Sequence, residues 1–360
     1  MSTDDAPTKT ISDYEAVLTK ADSAVAAFRK DDRSFTHVIR GALRRNPTLI
    51  PALILVISVI AFGLIARNFL SAGTLSKIVE QGMLTAMIAL AQTIVILTAG
   101  IDLSVGAILV ISTLVMGNLA VNLGLPVGVA VLIGMIAGGV LGAANGILVA
   151  LLRLPPFIVT LGTMSIFNAL KKWYSGSQSI RASDVEEKAA GLLLFGNDFK
   201  VLGATITLGG IALLVMAVVV WYVLNQTAWG RHVHAVGDDP EAAKLSGIRV
   251  ERVLISVYAV AGLICGVTAW IAIGRLHGSI SPTNFENIHL ASITAVVIGG
   301  TSLFGGRGSV LGSVLGALIV QLFMMGLSLS GVDSYWQEFA TGCLVIIAVA
   351  LDQWLRRASQ

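Results

Sequence analysis

Most residues that could do chemistry fall in four short segments. In the first, Ala99-Gly100-Ile101-Asp102-Leu103-Ser104-Val105-Gly106, a single carboxylate sits between two apolar runs. An ionisable group at membrane depth marks function by default, while Asp102 or Ser104 could equally start a helix as its N-cap. The second, Arg153-Leu154-Pro155-Pro156-Phe157, ends one helix and opens another, because proline lacks an amide donor yet is tolerated at the first helical position. Thr160 and Thr163 follow, and their hydroxyls either line a polar path or bond their own helix.

The third segment runs from Gly230 to Ile248. Asp239 as N-cap, Pro240 at N1, Glu241 at the positive helix end and Gly247 past the last turn predict a helix from Pro240 to Ser246, about two turns long. With Ala242, Ala243 and Lys244 it forms a short rigid peg between spans, or a cover over the bundle end. His232 and His234 lie in the same loop without further clustered ligands and read as surface residues rather than a metal site. The fourth segment, Gly299-Gly300-Thr301-Ser302-Leu303-Phe304-Gly305-Gly306-Arg307-Gly308-Ser309, lacks the Gly-Lys-Ser/Thr ending of a phosphate-binding loop and does not follow a strand. No H-E-x-x-H or G-x-S-x-G motif occurs, so neither a zinc protease nor a serine hydrolase site is predicted, and no catalytic or metal-ligating set is assigned.

These segments must be positioned by an apolar framework. Only 12% of the 360 residues are charged and 55% are hydrophobic, far from the roughly 25% charged of soluble domains. No Asp, Glu, Lys or Arg occurs from Leu103 to Leu152 or from Leu290 to Gly306. The natural solvent of such a chain is lipid. A net charge of +3, with basic residues at the ends of apolar blocks, argues against nucleic acid as a partner. Cys265 and Cys343 lie inside apolar blocks, where a thiol acts as a small hydrophobe.

A spanning helix needs about 20 mainly apolar residues, and the chain holds about ten such blocks. They run near Thr48 to Ala66, Gly82 to Ala99, Leu103 to Val121, Gly128 to Leu152, Phe157 to Trp173, Ala204 to Leu224, Val253 to Ile273, Leu290 to Leu303, Val310 to Leu329 and Tyr335 to Leu355. The expected fold is therefore an all-α polytopic transmembrane bundle spanning residues 47–357. Residues 1–46 form a cytoplasmic extension without a secretory signal. Within it Tyr14, Val17, Leu18, Ala21, Val25 and Phe28 recur at helical spacing behind a Ser12/Glu15 capping box. With both termini cytoplasmic, the inside loops collect Arg40, Arg44, Arg45, Arg153, Arg231, Lys244, Arg249, Arg252, Arg307, Arg356 and Arg357, as the positive-inside rule expects. Loop 225–252 then lies inside and loop 175–200, which mixes both signs of charge, lies outside. Gly138, Gly139, Gly142 and Gly146, and Gly308, Gly312 and Gly316, sit near four-residue spacing and predict close helix packing.

Taken in order and spacing, Gly100 to Gly106, Pro155 to Met164, Ala235 to Ile248 and Gly299 to Ser309 resemble the motifs of the ribose, xylose and fructose branch of bacterial ABC importer permeases. The resemblance runs from about Thr48 to Arg357 and is nearest to the fructose permeases. It implies a permease dimer in the bacterial inner membrane, a cytoplasmic ABC ATPase subunit and a periplasmic sugar-binding protein. ATP and magnesium would be used by that ATPase, leaving no cofactor in this chain. The helix led by Asp239 then becomes the ATPase-coupling helix, although family members often carry Asn where this chain has Asp238 or Asp239. The outside loop becomes part of the surface met by the binding protein.

Few ionisable residues lie within the spans, so an ion relay has little material to use. Energy would enter through the coupling helix and tilt the bundle as a rigid-body switch. A neutral sugar, fructose or a relative, would pass small and polar residues such as Gln92, Thr93, Asn145, Thr160 and Thr163, with Asp102 at the span junction. The alternative readings are an ion-coupled secondary sugar carrier, which needs paired buried charges near the midplane, and a membrane enzyme acting on lipid, for which only Asp102 is a candidate acid.

Overall fold

The computed structural model describes residues 48–201 and 204–357. The amphipathic segment expected from Tyr14 to Phe28 lies outside them. In hydrocarbon a backbone amide has no water to bond, so apolar segments close their hydrogen bonds internally as helices. In chain order these are α1 (Leu49–Ile65), α2 (Ala72–Leu97), α3 (Val105–Gly117, continued by a π-helical turn, Asn118–Asn122), α4 (Val127–Leu151) and α5 (Pro156–Ser175). After α6 (Ala182–Lys188), a 3-10 turn (Ala190–Gly196) and a hairpin of β1 (Asp198–Val201) and β2 (Ala204–Thr207) come α7 (Leu208–Gln226), α8 (Ala228–Asp238) and α9 (Pro240–Leu245). The chain then forms α10 (Val250–Arg275), α11 (Ile288–Ile298), α12 (Val310–Leu329) and α13 (Ser334–Arg357).

Every apolar block expected to span contains a helix, but the count of ten spans is not confirmed. Six of the described helices, namely α2, α3 with its π turn, α4, α7, α10 and α12, are long and apolar enough to cross a membrane. The clearest shortfall is α11, whose 11 residues rise about 16 Å against a hydrocarbon core of about 30 Å. Two further differences concern segments expected to be irregular. Residues 175–201 and the strand that follows are tied to the bundle: Val185 and Leu192 are fully buried, the Thr205 amide donates to Ser76 Oγ of α2 at 2.9 Å, and Ile180 bridges Ile280 beyond α10. The loop before the expected peg is itself helical, as α8.

At the centre stands α2, buried continuously from Ala86 to Leu97 and packed against α7, α10, α11 and α12. The outer helices present large apolar side chains outward, among them Leu64 of α1, Ile136 and Val140 of α4, and Leu214 and Val218 of α7. A water-soluble protein would not display so many; a lipid-facing bundle must.

Without a hydrophobic drive between helices in lipid, close backbone approach supplies the association. The pairing of α4 with α10 shows how. A Cβ added at Gly138 would stand 2.5 Å from the Gly262 carbonyl oxygen, at Gly142 2.2 Å from that of Tyr258, and at Gly146 2.7 Å from Cα of Ile255. The glycines of α12 act alike, with Gly312 against the Gly299 carbonyl and Gly316 against that of Ala295. Gly139 lies off this seam, its added Cβ meeting only ordinary contacts.

Candidate functional site

At one end of the bundle three backbones meet. The carbonyl of Leu97, the last residue of α2, accepts from the Gly306 amide at 3.0 Å, and the Gly306 carbonyl lies 3.1 Å from Nδ1 of His234 on α8. A Cβ at Gly237 of α8 would stand 1.7 Å from that same Leu97 oxygen. Gly305 and Gly306 adopt φ of +86° and +73°, conformations that L side chains rarely take, and so the loop between α11 and α12 can turn into this contact. The fourth sequence segment is thus a backbone clasp, and His234 is part of it rather than a surface group. Among the described residues no group of His, Cys, Asp or Glu could hold a metal ion.

The peg stands on this clasp. Asp239 alone separates α8 from α9, with φ −154° and ψ 104°, and its Oδ1 accepts from the amides of Glu241 at 2.9 Å and Ala242 at 3.0 Å. Two orphan donors of the first turn are thereby satisfied. Pro240 occupies N1, Glu241 lies in the first turn, Lys244 in the last, and Gly247 turns out of the helix at φ +86°. The helix matches the expected one to within a residue. Ala243 is buried beneath it, whereas Leu245 at the tip is 90% exposed. A cleft of about 640 Å³ opens between α9, the turn at Arg153 to Pro156 and the α2–α3 break, lined in part by Ala99, Glu241, Lys244 and Phe304. Ala99 and Arg153 hold φ of +58° and +52° at its rim, uncommon values for residues with a side chain.

Behind the clasp, the break between α2 and α3 is knitted into the interior. Asp102 is 1% exposed, and its Oδ1 accepts from the Ser104 amide at 2.8 Å and the Ser104 hydroxyl at 2.6 Å. Asn145 of α4 donates Nδ2 to Ser104 Oγ at 2.7 Å, Gln92 of α2 donates to the Asp102 carbonyl, and Thr160 of α5 donates to the Ile101 carbonyl at 2.8 Å. Asp102 therefore shapes the turn that leads into α3, while Ser104 takes the N-cap position without a cap bond of its own. Thr93 lies 2.6 Å from the Ser313 hydroxyl of α12, and Thr163 bonds back to the Thr160 carbonyl at 3.3 Å. All six residues read from the sequence as a polar path are buried and hydrogen-bonded to protein, and four of them converge on this break.

Sequence reasoning passed over a second polar cavity. Deeper in the bundle, a space of about 280 Å³ is bounded by Leu103, Gly106 and Ala107 of α3, by Met164, Asn168, Lys171 and Lys172 of α5, and by Phe285, Glu286 and His289 at the start of α11. Lys171-Lys172 reads locally as the charged end of a span, and Glu286 and His289 as part of a linker. Only the tertiary fold places residues more than a hundred positions apart around one space.

Lipid-facing helices interrupted at a polar, glycine-clasped junction, with a capped helix projecting from the same end, are the architecture of a transport permease. The chain belongs to the family described as branched-chain amino acid transport system / permease component, whose model matches residues 74–349. It is 47% identical over 348 residues, 96% of each chain, to the fructose import permease protein of Rhizobium meliloti. The ribose import permease protein of Bacillus subtilis (strain 168) is 38% identical over 303 residues, 84% of this chain and 92% of that one. The D-allose transport system permease protein of Escherichia coli (strain K12) is 34% identical over 305 residues, 84% and 91% of the respective chains. No solved structure matches the chain.

Proposed function

We propose that this chain is the membrane-spanning subunit of an ATP-driven importer that carries a monosaccharide, fructose or a close relative, across the bacterial inner membrane. The reading is supported by the relatives, named as import permeases for fructose and ribose. Its partners are a cytoplasmic ABC ATPase, which holds the nucleotide and magnesium, a periplasmic sugar-binding protein, and a second permease copy. Both termini, the clasp and α9 face the cytoplasm; loop 175–200 faces the binding protein.

The observation that carries the mechanism is the attachment of α9 to the α2–α3 break. A two-turn helix cannot act as a lever unless its base is rigid. Here Asp239 caps α9 directly on the end of α8, and α8 touches Leu97 and Gly306 backbone to backbone. Displacement of α9 by closing ATPase subunits therefore passes to the end of α2, the loop between α11 and α12 and, through Thr160 and Ile101, to α5. The interior responds as packed bodies that shift together, because close packing leaves little room for gradual deformation.

Leu245, exposed at the tip of α9, and Ala243, buried beneath it, separate docking from folding. Leu245→Glu leaves the permease folded, abolishes co-purification of the ATPase and stops uptake; Ala243→Arg unseats the helix and does the same. Unchanged ATPase co-purification and uptake in both variants would remove α9 from the coupling role.

A further inference from the structure

The cavity beside Lys171 gathers polar and charged side chains from α5 and from the start of α11 around one space. Lys171 is only 4% exposed, yet among the described residues its ammonium makes no hydrogen bond and no ion pair. Glu286 faces it electrostatically across the space. The Lys171 side chain thus reaches the cavity with no partner from the protein fixing it there. Helical side chains lean toward the N-terminus, so the Lys171 stem runs back along α5 toward Asn168, one turn earlier and half-buried. On the far wall Phe285 is held at φ +60°, a conformation that is an outlier for a bulky aromatic residue and is maintained only where surrounding structure imposes it. Behind it α11 begins inside the bundle rather than at its surface, with Ile288 against Gly106 of α3.

From this arrangement the geometry points to a transit site for one neutral polyhydroxylated molecule of monosaccharide size, in which Lys171 and Asn168 donate to hydroxyl oxygens and Glu286 accepts from hydroxyl protons. The inference rests on the importer reading and gives that path its specificity-determining residues. The volume of about 280 Å³ lies at the small end of small-molecule sites, which run from about 300 Å³. A hydroxyl both donates and accepts, so a polyol satisfies the ammonium, the amide and the carboxylate together. An anion would meet Glu286 and a cation would meet Lys171 and Lys172. Leu103, Ala107, Met164 and Phe285 supply apolar surface for the C–H faces of a sugar ring. With five polar side chains on its walls and an open side at exposed Glu286, the site holds its occupant briefly and releases it.

Two measurements test this in the full-length chain. In the complete transporter reconstituted in proteoliposomes, Lys171→Met is expected to keep ATPase stimulation by the loaded binding protein while sugar uptake falls about ten- to a hundredfold, the range for losing one charge-assisted hydrogen bond. Lys171→Arg recovers part of the uptake. Asn168→Leu, which introduces no charge change, gives the same split between intact ATPase stimulation and reduced uptake. Separately, in the permease alone with Cys343 replaced by serine, maleimide labelling of Asn168→Cys is slowed by D-fructose or D-ribose and not by betaine at equal osmolality. Uptake by Lys171→Met and Asn168→Leu within twofold of the parent, or labelling that sugar leaves unchanged, overturns the site. Sugar protection of Asn168→Cys, together with a parent complex that shows no ATP-driven uptake, would keep the site and remove the importer reading instead.

Discussion

Replacing Gly237 with alanine puts a methyl carbon 1.7 Å from the Leu97 carbonyl oxygen and 2.8 Å from the Gly306 amide nitrogen. Both are backbone atoms, so no side chain can swing aside. Relief requires α8 to move away from the end of α2 by more than about 1 Å, which also strains the Gly306–Leu97 hydrogen bond. Overpacking of this kind costs about 1–3 kcal/mol, and a backbone donor left unpaired in the interior about 1–3 kcal/mol more. We expect Gly237→Ala to lose about 2–6 kcal/mol in reversible unfolding of the detergent-solubilised permease. It should also hydrolyse ATP in complex without proportionate uptake, because α9 no longer moves with the α2–α3 break. Gly128→Ala serves as the control: it lies in the first turn of α4 with nothing within 4 Å of the added carbon, and should unfold and transport as the parent does. Parent-like stability and parent-like sugar uptake per ATP in Gly237→Ala would refute the clasp.

Three further substitutions probe separate parts of the account. Asp239→Ala removes the acceptor for the Glu241 and Ala242 amides and should cost about 1 kcal/mol. Its larger effect should be on ATPase co-purification, with Asp239→Asn retaining both cap and binding. Gly142→Val sets a branched side chain against the Tyr258 carbonyl, 2.2 Å from a Cβ at that position, and should lower the yield of folded permease sharply, measured as the monodisperse fraction in size-exclusion chromatography. Asp102→Ala frees the Ser104 amide and hydroxyl inside the bundle, and a loss of about 1–3 kcal/mol in the same unfolding assay is expected.

The framework of this protein was legible in the sequence because lipid imposes a simple rule: apolar length sets helix existence. Where local chemistry is explicit the reading reached single residues, as for Asp239, Pro240 and Gly247, whose cap, N1 and exit roles each follow from one physical preference. Elsewhere local and tertiary signals diverged. Gly230 and Gly237 made α8 look like loop, yet both are needed for close approach, to the Leu224 carbonyl in one case and to Leu97 in the other. Apolar composition alone could not distinguish the half-length α11 from a span, since its charge-free stretch continues into the clasp loop. The hydroxyls and amides read as a path, from Gln92 to Thr163, were identified by polarity within apolar blocks, and that same polarity serves to tie the α2–α3 break. Asn168 and Lys171 lie on α5 while Glu286 and His289 lie at the start of α11, and the juxtaposition of the two pairs has no local signature.

The central claim is that sugar crosses this bundle when force is applied at α9 by ATP-driven closure of a partner. Its most direct test is uptake of radiolabelled D-fructose and D-ribose into proteoliposomes holding the permease with its ATPase, supplied outside with the sugar-loaded binding protein. The account predicts accumulation that requires enclosed ATP and magnesium and is lost in Leu245→Glu. Accumulation by the permease alone under a proton gradient, indifferent to ATP and to Leu245, would contradict it.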